Sequence, residues 1–138
     1  TSYGTSISSV QNITIVLPIS EWRMLHFGTI VNGGDAADLA DWDNDGLNNL
    51  IEYGFGLPPT MAGNMIPQGS VVSGNFVISF STPPGVTGVI YGAEYSSTMA
   101  PLDWTPVTDT GIAPLHTFSI PLGSPSCAFI RLKVTTSP

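Results

Sequence analysis

Residues 41–52 read DWDNDGLNNLIE, and the spacing of the oxygen-bearing side chains in this stretch governs how the rest of the chain is read. Counting from Asp41, carboxylates stand at the first, third and fifth places (Asp41, Asp43, Asp45), glycine at the sixth (Gly46) and glutamate at the twelfth (Glu52). Alternate residues of a tight loop turn toward one point, and Gly46 permits the sharp bend. The Leu47 carbonyl and Asn49 add oxygens from places seven and nine, and Glu52 offers a two-oxygen carboxylate from the last. A hard cation that takes six to eight oxygens at roughly 2.3 to 2.6 Å fits such a shell, so calcium is the expected cofactor. An acidic turn with Asp45 capping a helix would explain one carboxylate and leave the others without a reason.

Charge points the same way. Six acidic residues (Asp35, Asp38, Asp41, Asp43, Asp45, Glu52) crowd into this region, and no Lys or Arg lies between Arg23 and Arg131. Without a cation those carboxylates repel one another with little to offset them. Asp38 joins the expected ligand set; Asp35 is either a further ligand or a cap of the turn before the loop.

The chain has 138 residues, a net charge of -7, 42% hydrophobic residues and only 9% charged ones. One domain is expected at this length. Charged residues usually make up about 25% of a globular domain, so the surface must consist largely of small polar and apolar groups, which favours association. Three basic residues cannot track a phosphate backbone, which excludes nucleic acid and anionic membrane as partners. No apolar run is long enough to cross a bilayer. The sequence opens on Thr1, so a processed N-terminus is the expectation. Cys127 is the only cysteine, which rules out a disulfide within the chain; calcium would supply the stapling that disulfides give other secreted domains.

Ahead of the loop, Val10, Ile13, Ile15, Val16 and Leu17 form an apolar, β-branched strand within residues 1–19, closed by Pro18. Asn12, with Ile13 and Thr14, matches the N-glycosylation acceptor pattern. A short helix is expected from Glu21 to Phe27, capped by Ser20 and stopped by Gly28. Trp22, Met24, Leu25 and Phe27 should pack it on a second helix carrying Leu47, Leu50, Ile51 and Phe55, which Gly54, Gly56 and two prolines end. The helix–loop–helix unit is thus placed at residues 20–60.

From residue 68 to 138 the apolar period changes to two. Phe76, Ile78 and Phe80 share a face, as do Val89, Tyr91, Ala93 and Tyr95, then His116, Phe118 and Ile120, then Ala128, Ile130, Leu132 and Val134. Turn clusters separate these runs, with weaker strands near residues 71–72 and 104–107. Short strands at this spacing predict an antiparallel β-sandwich, and an immunoglobulin-like one uses about seven strands. The N-terminal strand is the candidate for the place left open.

Residues 22–58 closely resemble a module of large secreted proteins from Verrucomicrobia, Planctomycetes and related bacteria. The matching residues are Trp22, Phe27 and Gly28, the GDAAD run at 34–38, the acidic loop at 41–49, Glu52, Tyr53 and Gly54, and Gly56, Leu57 and Pro58. Tyr91, Glu94, Ser96, Trp104 and the closing FIRLKV run at 129–134 extend the likeness into the sandwich. The loop itself is similar to EF-hand and dockerin loops, in a single copy. This resemblance implies a secreted, calcium-stabilised β-sandwich of cell-surface or adhesive character, in which the loop residues hold the ion.

His26 and His116 are the only histidines, and nothing in the sequence gives either an oriented partner, as a catalytic base requires. A paired-carboxylate site at Glu21 and Glu94 has no support from spacing. The expectation is a non-enzyme. The first functional reading is a structural subunit of an extracellular filament, a pilus-like homopolymer in which the N-terminal strand of one copy completes the sandwich of the next by donor-strand complementation. The alternative is a monomeric surface-adhesion or carbohydrate-binding module of a larger secreted protein, with glycans as its partners.

Overall fold

The computed structural model describes residues 18–123 and 129–138. The N-terminal strand call (Val10, Ile13, Ile15, Val16, Leu17), the Asn12 glycosylation site and Cys127 all lie outside the described residues. Helix α1 covers Pro18–Phe27 and α2 covers Asn49–Phe55, with a short 3-10 turn at Gly34–Ala36 between them. Six strands follow: β1 (Ser70–Val72), β2 (Asn75–Ser81), β3 (Val89–Ser96), β4 (Thr105–Val107), β5 (Leu115–Pro121) and β6 (Phe129–Thr136). They form two three-stranded antiparallel sheets, ordered β1-β2-β5 and β4-β3-β6. The architecture is mainly β and sandwich-like, as the period-two runs predict.

Each sheet turns its alternate apolar residues to one core. Ile78 and Phe118 come from the first sheet, Tyr91, Ala93, Leu132 and Val134 from the second, and α2 adds Leu50 and Phe55. Phe80 sits edge-on to both Phe55 and Tyr91, at ring separations of 5.1 and 5.2 Å, a geometry that aromatic quadrupoles favour. After β4 the chain crosses between sheets: Asp109 bridges Phe118 of β5, and the Thr110 N–H donates to the Thr117 carbonyl at 2.9 Å.

The helices depart from the sequence reading in three ways. Helix α1 begins at Pro18, so this proline opens the helix, where its missing N–H and fixed φ are harmless, and Ser20 lies inside the first turn instead of capping it. The buried residue of α1 is Arg23, while Leu25 is 78% exposed; a hydrogen-bonded charge anchors this helix together with Ile19 on the core and Trp22 against Tyr53 of α2. Gly54 lies within α2 and does not end it; the stop is Gly56, in the left-handed region at φ 65°.

Gly54 has its own reason. A Cβ there would lie 2.9 Å from Val134 Cγ1, so the absent side chain lets α2 settle directly on β6. Gly54→Ala should destabilise the fold by about 1–3 kcal/mol, as overpacking does; an unchanged urea midpoint would contradict this contact. Two tyrosines complete the seam. Tyr91 Oη donates to the Gly54 carbonyl, and Tyr53 Oη donates to the Thr87 carbonyl at 3.0 Å while accepting from the Thr87 N–H at 3.2 Å.

Candidate metal centre

The acidic loop is held at both ends before any ion is considered. The Asn49 N–H donates to the Ala40 carbonyl at 2.8 Å and the Leu50 N–H to the Asp38 carbonyl at 3.0 Å, which pins the exit of the loop to its entrance. Between them Asn44 and Gly46 take positive φ values of 59° and 94°, the conformations that asparagine and glycine tolerate best. Asn48 caps α2 by accepting the Ile51 N–H at 3.0 Å, the role that Asp45 would have held in a purely capping turn.

This winding gathers the carboxylates. Oxygens of Asp41, Asp43 and Asp45 all lie within 4.8 Å of one another. Loop N–H groups fix their orientation: Asp41 accepts from Gly46 at 2.9 Å and from Asp45 at 3.2 Å, Asp43 accepts from Asp45 at 3.2 Å, and Asp45 accepts from Leu47 at 2.9 Å. Glu52, on α2, is 0% exposed. Burial, with the charges of Asp43, Asp45 and Asp41, pushes its carboxyl up to about 7 against the lowering effect of the Asn64 amide. Asp103 shows the opposite case: hydroxyls of Thr98, Ser96 and Ser97 hold its carboxyl down to about 2. Glu52 lacks such donors.

Among the described residues, three buried oxygens have no hydrogen-bond partner: Asp43 Oδ2, Glu52 Oε2 and Asn49 Oδ1. An unpaired buried acceptor carries a desolvation penalty of about 1–3 kcal/mol, more when charged. Asp43, Asn49 and Glu52 occupy places three, nine and twelve of the expected ligand series. A cation that reached all three would relieve these penalties, and the donor set of carboxylates and carbonyls suits a hard ion.

The remaining site residues are placed as follows. Leu47 is half-buried, with its N–H turned to Asp45. Asn49 is 1% exposed, and its amide donates to the carbonyls of Asp35 and Ala37 at 2.7 Å each, which ties α2 to the 3-10 turn. Asp38 departs from its expected role as a ligand. One of its oxygens pairs with Arg23, and the other accepts from the Asn32 amide at 2.9 Å. Arg23 also donates to the Ala36 carbonyl at 3.1 Å. The one cation of the acidic half is thereby fully occupied beside the loop. Sequence spacing also missed Asn64, whose N–H donates to Asp45 and whose amide donates to Glu52, each at 3.3 Å.

Away from the loop, His116 does have an oriented partner. Its Nδ1 lies 2.6 Å from Asp109 and its Nε2 lies 3.0 Å from the Thr82 hydroxyl. Desolvation works to raise the Asp109 carboxyl, yet the Thr117 N–H, the His116 ring and the Gly111 N–H outweigh it and hold the carboxyl below its ordinary value. Backbone donors around Thr82 are already engaged: its own N–H with the Pro114 carbonyl, Val86 with Pro83, and Thr87 with Tyr53. His26 packs against Trp22 at 5.0 Å, and its burial lowers its pKa. Glu94 is held by Lys133 at 2.7 Å and by Arg131 at 2.8 Å. No family model, curated protein or solved structure matches this chain.

Proposed function

We propose that this chain is an extracellular, non-catalytic structural module, an immunoglobulin-like β-sandwich locked by one calcium ion, whose copies join head to tail into a filament. The observation that carries the metal reading is Glu52: fully buried, one oxygen without a partner among the described residues, and within reach of the charges of three aspartates. Asp41, Asp43, Asp45 and Glu52 would hold the ion, with Asn49 and the Leu47 carbonyl completing the shell. Because α2 carries both Glu52 and the core residues Leu50 and Phe55, fixing the carboxylate fixes the sandwich.

The non-catalytic reading is supported by the His116 relay. It ends on the Thr82 hydroxyl, and the N–H groups of Thr82, Val86 and Thr87 are bonded elsewhere, so none of these three is free to stabilise an oxyanion. Assembly is supported by the sheet edges. Strand β4 contains Pro106, β1 is three residues long, and the outer side of β5 is bridged by Asp109; each device blunts an edge. Among the described residues, 130–136 of β6 have a strand partner on one side only, β3. A strand with the Ile13, Ile15, Leu17 alternation would fit that edge, and supplied by a neighbour it would build an open chain.

Removal of residues 1–17 tests the assembly reading. The intact chain should form particles far larger than its 14.5 kDa in size-exclusion chromatography and fibres in electron micrographs, whereas the shortened chain should do neither. Polymers of the shortened chain would overturn donor-strand assembly. An intact chain that stays monomeric at every concentration would favour the lone adhesion or carbohydrate-binding module.

A further inference from the structure

The connector between α2 and β1, residues 57–69, contains no helix or strand. Met61 and Met65 within it are 65% and 71% exposed. Pro59 is buried and Leu57 and Ile66 pack on the core, whereas residues 60–63 are exposed like Met65, the mark of a stretch with low local stability. Besides the Leu57 N–H, which donates to the Glu52 carbonyl at 2.8 Å, the connector's side-chain anchor on the acidic loop is Asn64. The Asn64 N–H donates to Asp45 Oδ2 at 3.3 Å, and its side-chain amide donates to Glu52 Oε1 at 3.3 Å and to the Pro58 carbonyl at 2.7 Å. One residue, twelve places beyond Glu52, therefore touches two of the four carboxylates assigned to the ion and closes the connector on itself.

We infer that Asn64 is the positioning residue of the metal centre, and that through it calcium orders the connector leading into β1. This inference rests on the metal reading proposed above. The chemistry is directional. With the ion in place, one shared partner would hold the Asp45 and Glu52 carboxylates still, and charge-assisted hydrogen bonds to fixed acceptors are the strong ones. Without it the two carboxylates have no common anchor, and both Asn64 bonds loosen together. The oxygen of Glu52 that Asn64 engages is Oε1, and the one without a partner is Oε2. The amide thus orients the carboxylate with its second oxygen free, as outer-shell groups orient ligands in other metal sites.

Hydrogen exchange on the intact chain, in calcium and in chelator, tests this. In the wild type calcium should slow exchange in residues 41–52 and in 58–68 together. In Asn64→Ala, which keeps the N–H bond to Asp45 but loses the amide bonds to Glu52 and Pro58, calcium should still slow residues 41–52 but protect 58–68 far less than in the wild type, and calcium affinity by titration calorimetry should fall about 10–100-fold, the usual effect of losing an outer-shell partner. Asn64→Asp, which replaces the donor by a carboxylate facing Glu52, should weaken binding further. A merely structural role for Asn64 would speed exchange in 58–68 equally in calcium and chelator and leave affinity unchanged, and that result overturns the inference. The wild-type comparison needs no variant: protection of 41–52 alone would also overturn it. Protection of neither segment would overturn the metal reading itself.

Discussion

Calcium at about a hundred times its dissociation constant should raise the melting temperature of the wild type by roughly 10 °C, and Glu52→Gln should abolish that rise. The size follows from mass action: ligand at a hundredfold excess over Kd stabilises by about 2.7 kcal/mol, and each kcal/mol moves the midpoint of a domain this size by about 4 °C. The dissociation constant itself is expected in the range of extracellular modules, roughly 10⁻⁴ to 10⁻³ M. The sign of the pH dependence separates an ion-binding glutamate from an ordinary buried one. The Glu52 carboxyl is raised from 4.5 to about 7 in the fold. The folded state therefore binds more protons than the unfolded chain between those values, and in chelator stability should fall as pH rises through that window. Calcium competes with the proton for the same oxygens and should remove the fall. Glu52→Gln, neutral at every pH, should melt higher than the wild type in chelator at pH 8 and show no response to calcium. Differential scanning fluorimetry at pH 5 and pH 8, in calcium and chelator, reads all of these, and a wild type indifferent to both pH and chelator would refute the site.

Leu50→Ala should lower stability by about 2–5 kcal/mol, the range for truncating a buried leucine, and should weaken calcium binding as well. Leu50 is 7% exposed, sits in the core between the sheets, and lies two residues from Glu52 on the same short helix. A seven-residue helix has almost no stability of its own, so its seat in the core is what holds Glu52 against the aspartates. Phe118→Ala provides the contrast. It empties a 1% exposed position on β5 and should destabilise by about 3–5 kcal/mol, yet it leaves α2 and its capping intact. Chemical denaturation gives both losses, and calorimetric titration below the transition should show weakened calcium binding for Leu50→Ala only. Equal affinities in the two variants would mean that the loop organises its ligands independently of α2 packing.

Local rules made much of this legible. The four predicted period-two runs all emerge as strands over their described residues, because each buries one face and register follows from that face. The acidic cluster of Asp41, Asp43 and Asp45 is readable because its carboxylates come from one short contiguous stretch. What escaped depended on distant partners. Arg23 looks like the polar side of an amphipathic helix until Ala36 and Asp38 arrive beneath it; Asp38 looks like a ligand until that guanidinium takes it. His116 acquires Asp109 and Thr82 only when β2 and β5 pair. Gly54 reads as a helix stop unless Val134, eighty places later, is known to press on it. Asn64 lies outside the dozen-residue pattern altogether.

The order in which the helices meet the sheets has a mechanical consequence. A pull applied ahead of Pro18 enters the domain at α1, whose holdings are the Arg23 pair and the edge of Trp22 against Tyr53; the next links are α2 and its tyrosine seam with the sandwich. Tension between joined subunits would therefore run through the ion-bearing half before it reached the strands, and the tensile strength of such a fibre would rise and fall with the calcium around it.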